Sequence, residues 1–85
     1  MDGKILIRVQ TAGGALVLRD PSLVTKEGER PIMSEGDMAA ALIEGGVIQG
    51  ITGKYSGGIF TSTDNPVSIP TASVIFTEIV ARRVW

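Results

Sequence analysis

The chain contains neither cysteine nor histidine among its 85 residues. Disulfide bonds, thiolate metal ligands and imidazole metal ligands are therefore excluded by composition alone. The same absences remove cysteine and histidine as catalytic nucleophile or base, so the sequence predicts a protein that is not an enzyme and binds no cofactor or metal. A cation site built from carboxylates alone stays chemically open, but the nine acidic residues are scattered along the chain.

An excess of charge of one sign is also missing. Eight basic and nine acidic side chains are interspersed, the formal net charge is −1, and only four residues are aromatic. Proteins that bind nucleic acid normally combine a basic patch with stacking aromatic rings. Arg82 and Arg83 are the only adjacent basic residues, and successive strand residues point to opposite faces. We therefore expect no nucleic-acid partner.

No apolar run approaches the roughly 20 residues that span a bilayer, so we expect no membrane span. Residues 1–4 lack the basic region, apolar core and cleavage site of a secretory signal. The sequence as printed predicts synthesis in the cytoplasm. Removal of a leader stays open, and so does the final location, for which an extracellular or virion assembly is one of the alternatives.

The length predicts a single domain over residues 1–85. A chain of this size buries only about 60–65% of the surface that its unfolded form exposes, and such domains often gain stability from a disulfide, a metal or a partner. Cysteine and histidine are absent, and 44% of the residues are hydrophobic. We therefore expect the protein to associate with copies of itself.

The first part of the sequence predicts a β-hairpin and then a loop. Residues 4–10 alternate between apolar and polar side chains, and residues 15–19 form a second such run beyond a glycine pair. Asp20-Pro21 is expected to end the second strand, because proline donates no backbone hydrogen bond. Residues 22–33 are polar and interrupted by glycine and proline, which predicts an exposed loop.

A helix is predicted to begin at Ser34. Its hydroxyl group can accept hydrogen bonds from the first turn, and the Asp37 carboxylate can reach back toward the cap. Gly45 suits the left-handed position just beyond the end, about three turns later. The apolar stripe expected to face a sheet consists of Met38, Ala41, Leu42 and Ile43.

Residues 45–58 contain six glycines and predict a turn-rich connection. A phosphate-binding loop is excluded by spacing, because Gly53-Lys54 would need a glycine in place of Ile48 and a serine or threonine after the lysine. Any other ligand of this stretch stays open. Residues 59–61 then predict a short strand, which Asp64-Asn65-Pro66 is expected to close.

The final stretch, residues 73–85, is the longest run of strand-favouring residues and has no glycine or proline. Glu78 lies inside it and is expected to pair with Arg8 or Arg19 on a neighbouring strand. Strict alternation gives this strand two largely apolar faces, so it is either covered on both sides or meets another molecule. One predicted face carries Val74, Phe76, Glu78, Val80, Arg82 and Val84, and the other carries Ile75, Thr77, Ile79, Ala81, Arg83 and Trp85.

Together these elements predict a single α+β domain, with a small, mostly antiparallel sheet and one short helix packed on one face. Four segments follow one another along the chain: Asp20-Pro21, residues 34–43, Gly57-Gly58 and residues 76–79. In these segments the chain resembles a family of short, uncharacterised bacterial proteins. It departs from them at residues 27–30 and 82–85. The family has no established activity, so the resemblance implies the order hairpin, helix, strand and no site.

We predict a structural protein that assembles with copies of itself. Apolar sheet surface or an open strand edge would be covered by the next copy in a homo-oligomer, an extracellular filament or a virion-type tube or shell. The alternative is a small regulatory module that binds a peptide or protein on the same surface. The expected self-association interface consists of Ile5, Ile7, Phe76, Val80, Arg82, Arg83, Val84 and Trp85.

Overall fold

A computed structural model describes residues 5–82, apart from the side chain of Arg82. These residues form an antiparallel sheet with the strand order β5-β4-β2-β1-β6, and β3 pairs with β2 beside that path. The predicted α+β class is confirmed. The elements are β1 (Ile5–Thr11), β2 (Gly14–Thr25), β3 (Gly28–Pro31), α1 (Glu35–Glu44), β4 (Val47–Ser56), β5 (Ile59–Pro70), a 3-10 turn (Thr71–Ser73) and β6 (Val74–Arg82).

The core lies between α1 and one side of the sheet, the helix face. Strand alternation places every second residue there and the others on the back face. Leu6 points away from this core, yet it is also fully buried. The core consists of Ile5, Ile7, Val9, Leu18, Leu23, Ile32, Met38, Ala41, Ile48 and Ile69.

β2 continues through Asp20-Pro21, so the prediction that the strand ends there was wrong. Asp20 has a φ of 51°, in the left-handed region. The register with β4 shifts between Arg19 and Ser22, so that β2 holds one extra residue at this point. A bulge of this kind leaves one residue outside the ladder, which lets a strand accommodate a proline.

The predicted loop over residues 22–33 is also largely strand. The end of β2 pairs with β3 in a second hairpin. Leu23 is fully buried there, and the Ser22 hydroxyl donates a hydrogen bond to Glu29 Oε2 at 2.7 Å. The sequence did not indicate this hairpin because every residue of β3 is exposed and the strand lacks an apolar alternation.

β4 and β5 occupy the stretch for which a connection and a short strand were predicted. Gly57 and Gly58, with φ of 60° and 81°, form the two-residue turn between them. A Cβ atom at Gly53 would overlap the Phe60 ring, so this glycine allows the close approach of β5. β5 continues past Asp64, where a φ of 59° and a register shift mark a second bulge.

Helix α1 begins where the sequence predicted. Ser34 Oγ accepts a hydrogen bond from the Asp37 N–H at 3.1 Å, and Asp37 Oδ2 accepts one from the Met33 N–H at 2.9 Å. Gly45 follows the helix with a φ of 84° and donates its N–H to the Ala41 carbonyl oxygen. Both predicted caps are confirmed.

The apolar stripe of α1 is narrower than predicted. Met38 and Ala41 are buried against the sheet, whereas Leu42 is 36% exposed. Ile43 is 87% exposed and does not belong to the stripe. The helix therefore covers the core with few side chains and leaves apolar surface beside it.

β6 lies at one end of the strand order, and within residues 5–82 it pairs only with β1. In the pairing of β6 with β1, Ile75 and Val80 are extra residues with no residue of β1 opposite them. Each of these register shifts moves the residues beyond it to the other face of the sheet. The strict alternation predicted for the final stretch is therefore wrong. Only residues 76–79 alternate without interruption, with Thr77 and Ile79 on the helix face and the other two on the back face.

Candidate functional site

In the sheet formed by residues 5–82, β6 is one of the two strands at the ends of the strand order. An edge strand presents N–H and C=O groups that another strand can pair with. Natural edge strands are commonly protected by proline, by lysine, by β-bulges or by a covering element. β6 holds two bulges, at Ile75 and Val80, but it has no proline, glycine or lysine, and its charged residues are Glu78 and Arg82. Its composition therefore permits the addition of another strand.

Two apolar side chains are exposed on this strand. Ile75, passed over by the register, is 64% exposed, and Phe76 on the back face is 48% exposed. Val74 and Ile79 on the same strand pack against the core. Complete burial of a large apolar side chain is worth about 1.5–3 kcal/mol, so covering the exposed parts of these two would yield about 1–2 kcal/mol each. The segment of residues 75–79 is the β6 edge.

Glu78 carries the only described charge within the β6 edge, and it is paired. Arg8 Nη1 donates a hydrogen bond to Glu78 Oε1 at 2.8 Å, across the β1–β6 register. The predicted partner, Arg8 or Arg19, is therefore Arg8. The two side chains are 37% and 49% exposed, so the pair contributes at most about 1 kcal/mol to stability.

A groove runs along the β6 edge on the helix face, between the strand and α1. Its volume is about 500 Å³. The floor is formed by Thr77 and Ile79, and the wall by α1 side chains, among which Leu42 is partly exposed. Side chains on the helix face of an added strand would enter this groove. The full lining is Glu35, Met38, Ala39, Leu42, Thr77, Glu78 and Ile79.

The opposite edge of the sheet, at β5, carries prolines, which β6 lacks. Pro66 and Pro70 lack an N–H group, and the bulge around Asp64 interrupts the regular strand between the turn and Pro66. Thr63, within the bulge, shares a hydroxyl–hydroxyl hydrogen bond of 2.6 Å with Thr52 on β4. The β5 edge therefore carries two prolines and one bulge, whereas the β6 edge carries two bulges and no proline.

The residues predicted for self-association fall into three groups. Ile5 and Ile7 are 2% and 0% exposed in the core, so a second copy has no access to them. Phe76 and Val80 lie on β6, half-exposed and partly buried respectively. The backbone of Arg82 belongs to β6, whereas its side chain and the whole of Arg83, Val84 and Trp85 lie outside the described residues.

Sequence reasoning missed Ile75 and the groove. Ile75 belonged to the second predicted face, but its exposure depends on a register shift that leaves no sequence signal. The groove combines a helix and a strand that are about 35 residues apart in the chain, so it requires the tertiary fold. Ile59, at the β4–β5 turn, is a further exposed apolar side chain at 69%.

Residues 5–82 contain neither a candidate metal site nor a membrane-spanning helix. In that range no cluster of three or more acidic side chains is positioned to hold a metal ion. None of the helices described there is long and apolar enough to cross a membrane.

Comparisons with known proteins gave no match to a family model, to a curated protein or to a solved structure. The resemblance to short bacterial proteins therefore stays a prediction from the sequence.

Proposed function

We propose that this protein is a structural subunit that associates with copies of itself through the β6 edge. The observation that carries the proposal is an edge strand without proline that exposes two apolar side chains, Ile75 and Phe76. Pairing of the edge with another strand would satisfy its outer backbone groups and cover both side chains. Both gains come from one contact, which favours strand addition over loose apolar association.

An extended assembly, such as an extracellular filament or a virion-type tube or shell, would need a second contact surface besides the β6 edge. Ile59 is 69% exposed beside the glycine turn that joins β4 and β5. This turn lies on the strand pair farthest from β6 in the sheet order. It is the surface that we propose for contacts between assembled units.

The test compares the native chain with a variant that carries a charge at the β6 edge. Ile75→Lys places a strongly hydrated ammonium group where the second copy would sit, and we expect association to weaken at least tenfold, about 1.4 kcal/mol. Sedimentation velocity over a range of concentrations measures the effect. The native chain should sediment as particles heavier than its 8.9 kDa mass, and the variant as single chains.

The matched control is Ile43→Lys, which changes an even more exposed isoleucine on α1. This variant should associate like the native chain, and electron microscopy of both should give the same particles. A native chain that stays at 8.9 kDa at millimolar concentration would overturn the proposal.

A second function, binding of a peptide or protein segment, is favoured by the groove beside β6. A groove of about 500 Å³ between a helix and an edge strand can hold an extended segment that pairs with the strand. A chain that is monomeric at all concentrations and binds such a peptide would favour this second function.

A further inference from the structure

Two arrangements allow a second copy to cover the β6 edge. In a head-to-tail arrangement β6 pairs with β5 of the next copy, and repetition gives a ring or a fibre. In a two-fold arrangement β6 pairs with β6 of the second copy, and the contact closes on itself. The two arrangements differ in whether β5 takes part.

The chemistry of β5 disfavours the head-to-tail arrangement. Pro66 and Pro70 remove two of its backbone donors, and the bulge at Asp64 breaks the regular run of the strand. β6 has no proline, and its two bulges, at Ile75 and Val80, leave the four residues from Phe76 to Ile79 uninterrupted between them. The better partner for β6 is therefore β6 itself.

We infer that the β6 edges of two copies pair in antiparallel fashion about a two-fold axis at Thr77. The inference rests on the proposed self-association and names its partner and register. Residues opposite each other in an antiparallel pair lie on the same face, and strand residues alternate between faces. The two-fold axis that relates two identical strands must therefore pass through a residue, and not between two residues. That residue then lies opposite its own copy.

Charge selects the central residue. If the two-fold axis passes through Thr77 or Glu78, most of the uninterrupted residues 76–79 take part in the pairing. An axis at any other residue leaves most of them out. Centring on Glu78 would place two carboxylates directly opposite each other, which destabilises a strand pair. Centring on Thr77 places two threonines opposite each other, a favourable cross-strand pair.

This register also brings an apolar side chain to the groove. Ile75 of the second copy, at the bulge just beyond the regular pairing, comes next to Ile79 and the groove that Leu42 and Met38 line. Ile75 is 64% exposed in the single chain and would be covered here. On the back face, Phe76 lies opposite Glu78 of the second copy, and no like charges meet.

The test exploits the absence of cysteine from the chain. In a Thr77→Cys variant the new thiol is the only one, and at a two-fold axis it lies opposite the same thiol of the second copy. Cross-strand Cβ atoms are about 4.5–5.5 Å apart, close to the separation that a disulfide requires. Oxidised glutathione would serve as the oxidant, and a short bis-maleimide would join the thiols if their geometry does not suit a disulfide.

Single-cysteine variants Ile43→Cys and Met33→Cys are the controls, because both positions are more exposed than Thr77. Under equal conditions Thr77→Cys should form covalent dimers at least about tenfold faster than either control, since the paired edges raise the effective thiol concentration. Reduced Thr77→Cys should sediment like the native chain.

The outcomes separate the inference from the function on which it rests. If the native chain associates but Thr77→Cys forms no dimer with either reagent faster than the controls do, the two-fold pairing is wrong and the self-association stands. A native chain that never associates removes both proposals.

Discussion

At the scale of single residues, two aspartates lie in the bulges where the sheet accommodates Pro21 and Pro66. Asp20 and Asp64 both have left-handed backbone angles, which a short polar side chain tolerates better than a branched one. Arg19 lies near both carboxylates, with Nη1 2.7 Å from Asp20 Oδ2 and Nη2 3.9 Å from Asp64 Oδ1. The bulges of neighbouring parts of the sheet therefore share one arginine.

Gly53 gives a prediction at this scale. In Gly53→Ala the new Cβ atom would overlap the Phe60 ring and lie 2.5 Å from the Thr61 carbonyl oxygen, so β4 and β5 must separate locally. We expect a loss of about 1–3 kcal/mol in the free energy of unfolding, measured by urea denaturation.

The control is another glycine-to-alanine change in a different environment. At Gly36 in the first turn of α1 the nearest atom to a new Cβ is Ser34 Oγ at 3.7 Å, an ordinary contact. Gly36→Ala should stabilise the protein by about 0.4–1 kcal/mol, because alanine reduces the entropy of the unfolded chain. Equal effects of the two substitutions would contradict the packing account of Gly53.

At the scale of elements, the sequence predicted what depends on local chemistry. The first hairpin, the Ser34 cap, the Gly45 end of the helix and the partner of Glu78 all follow from residues near one another in the sequence or from strand pairing rules. The errors came from proline and glycine inside strands. Asp20-Pro21 and the glycines of β4 have the composition of turns, and only the sheet around them makes them strand residues.

The candidate site was predicted less fully than the fold. Phe76 and Val80 were placed correctly on the terminal strand, whereas Ile5 and Ile7 are in the core because α1 covers their face. Exposure of a strand residue depends on what packs over its face, and alternation alone does not contain that information. The groove beside β6 has the same origin.

The helix cap gives a prediction at the scale of elements. Ser34→Ala removes the acceptor of the Asp37 N–H, which the hydroxyl group holds at 3.1 Å. We expect a loss of about 1 kcal/mol in the free energy of unfolding. Because α1 forms the wall of the groove, the signal of Leu42 in NMR spectra should also shift.

Ser73→Ala provides the comparison, since Ser73 is an exposed serine outside α1. Its effect on the free energy of unfolding should stay within about 0.5 kcal/mol. If the two serine variants lose the same stability, the Ser34 hydroxyl does not act as a cap.

At the scale of the whole molecule, one short helix covers one face of a sheet whose two outer edges differ. The β5 edge carries prolines and a bulge, whereas the β6 edge is open over residues 76–79. A domain of this size has little stability to spare, so the area that association would cover at β6 matters to the folded state itself. If copies of the chain associate at β6 as proposed, folding and association are linked processes.

This linkage predicts that thermal stability depends on protein concentration. When two chains dissociate as they unfold, a tenfold rise in concentration stabilises the folded dimer by about 1.4 kcal/mol, which is about 0.7 kcal/mol for each chain. For a domain of 85 residues this corresponds to a rise of about 3–5 °C in Tm for each tenfold step. Circular dichroism between micromolar and millimolar concentration measures it. Ile75→Lys should need an at least tenfold higher concentration to reach the native Tm, because its association is weaker by that factor, whereas Ile43→Lys should follow the native trend. A native Tm that does not change with concentration would mean that the β6 edge stays unpaired in solution.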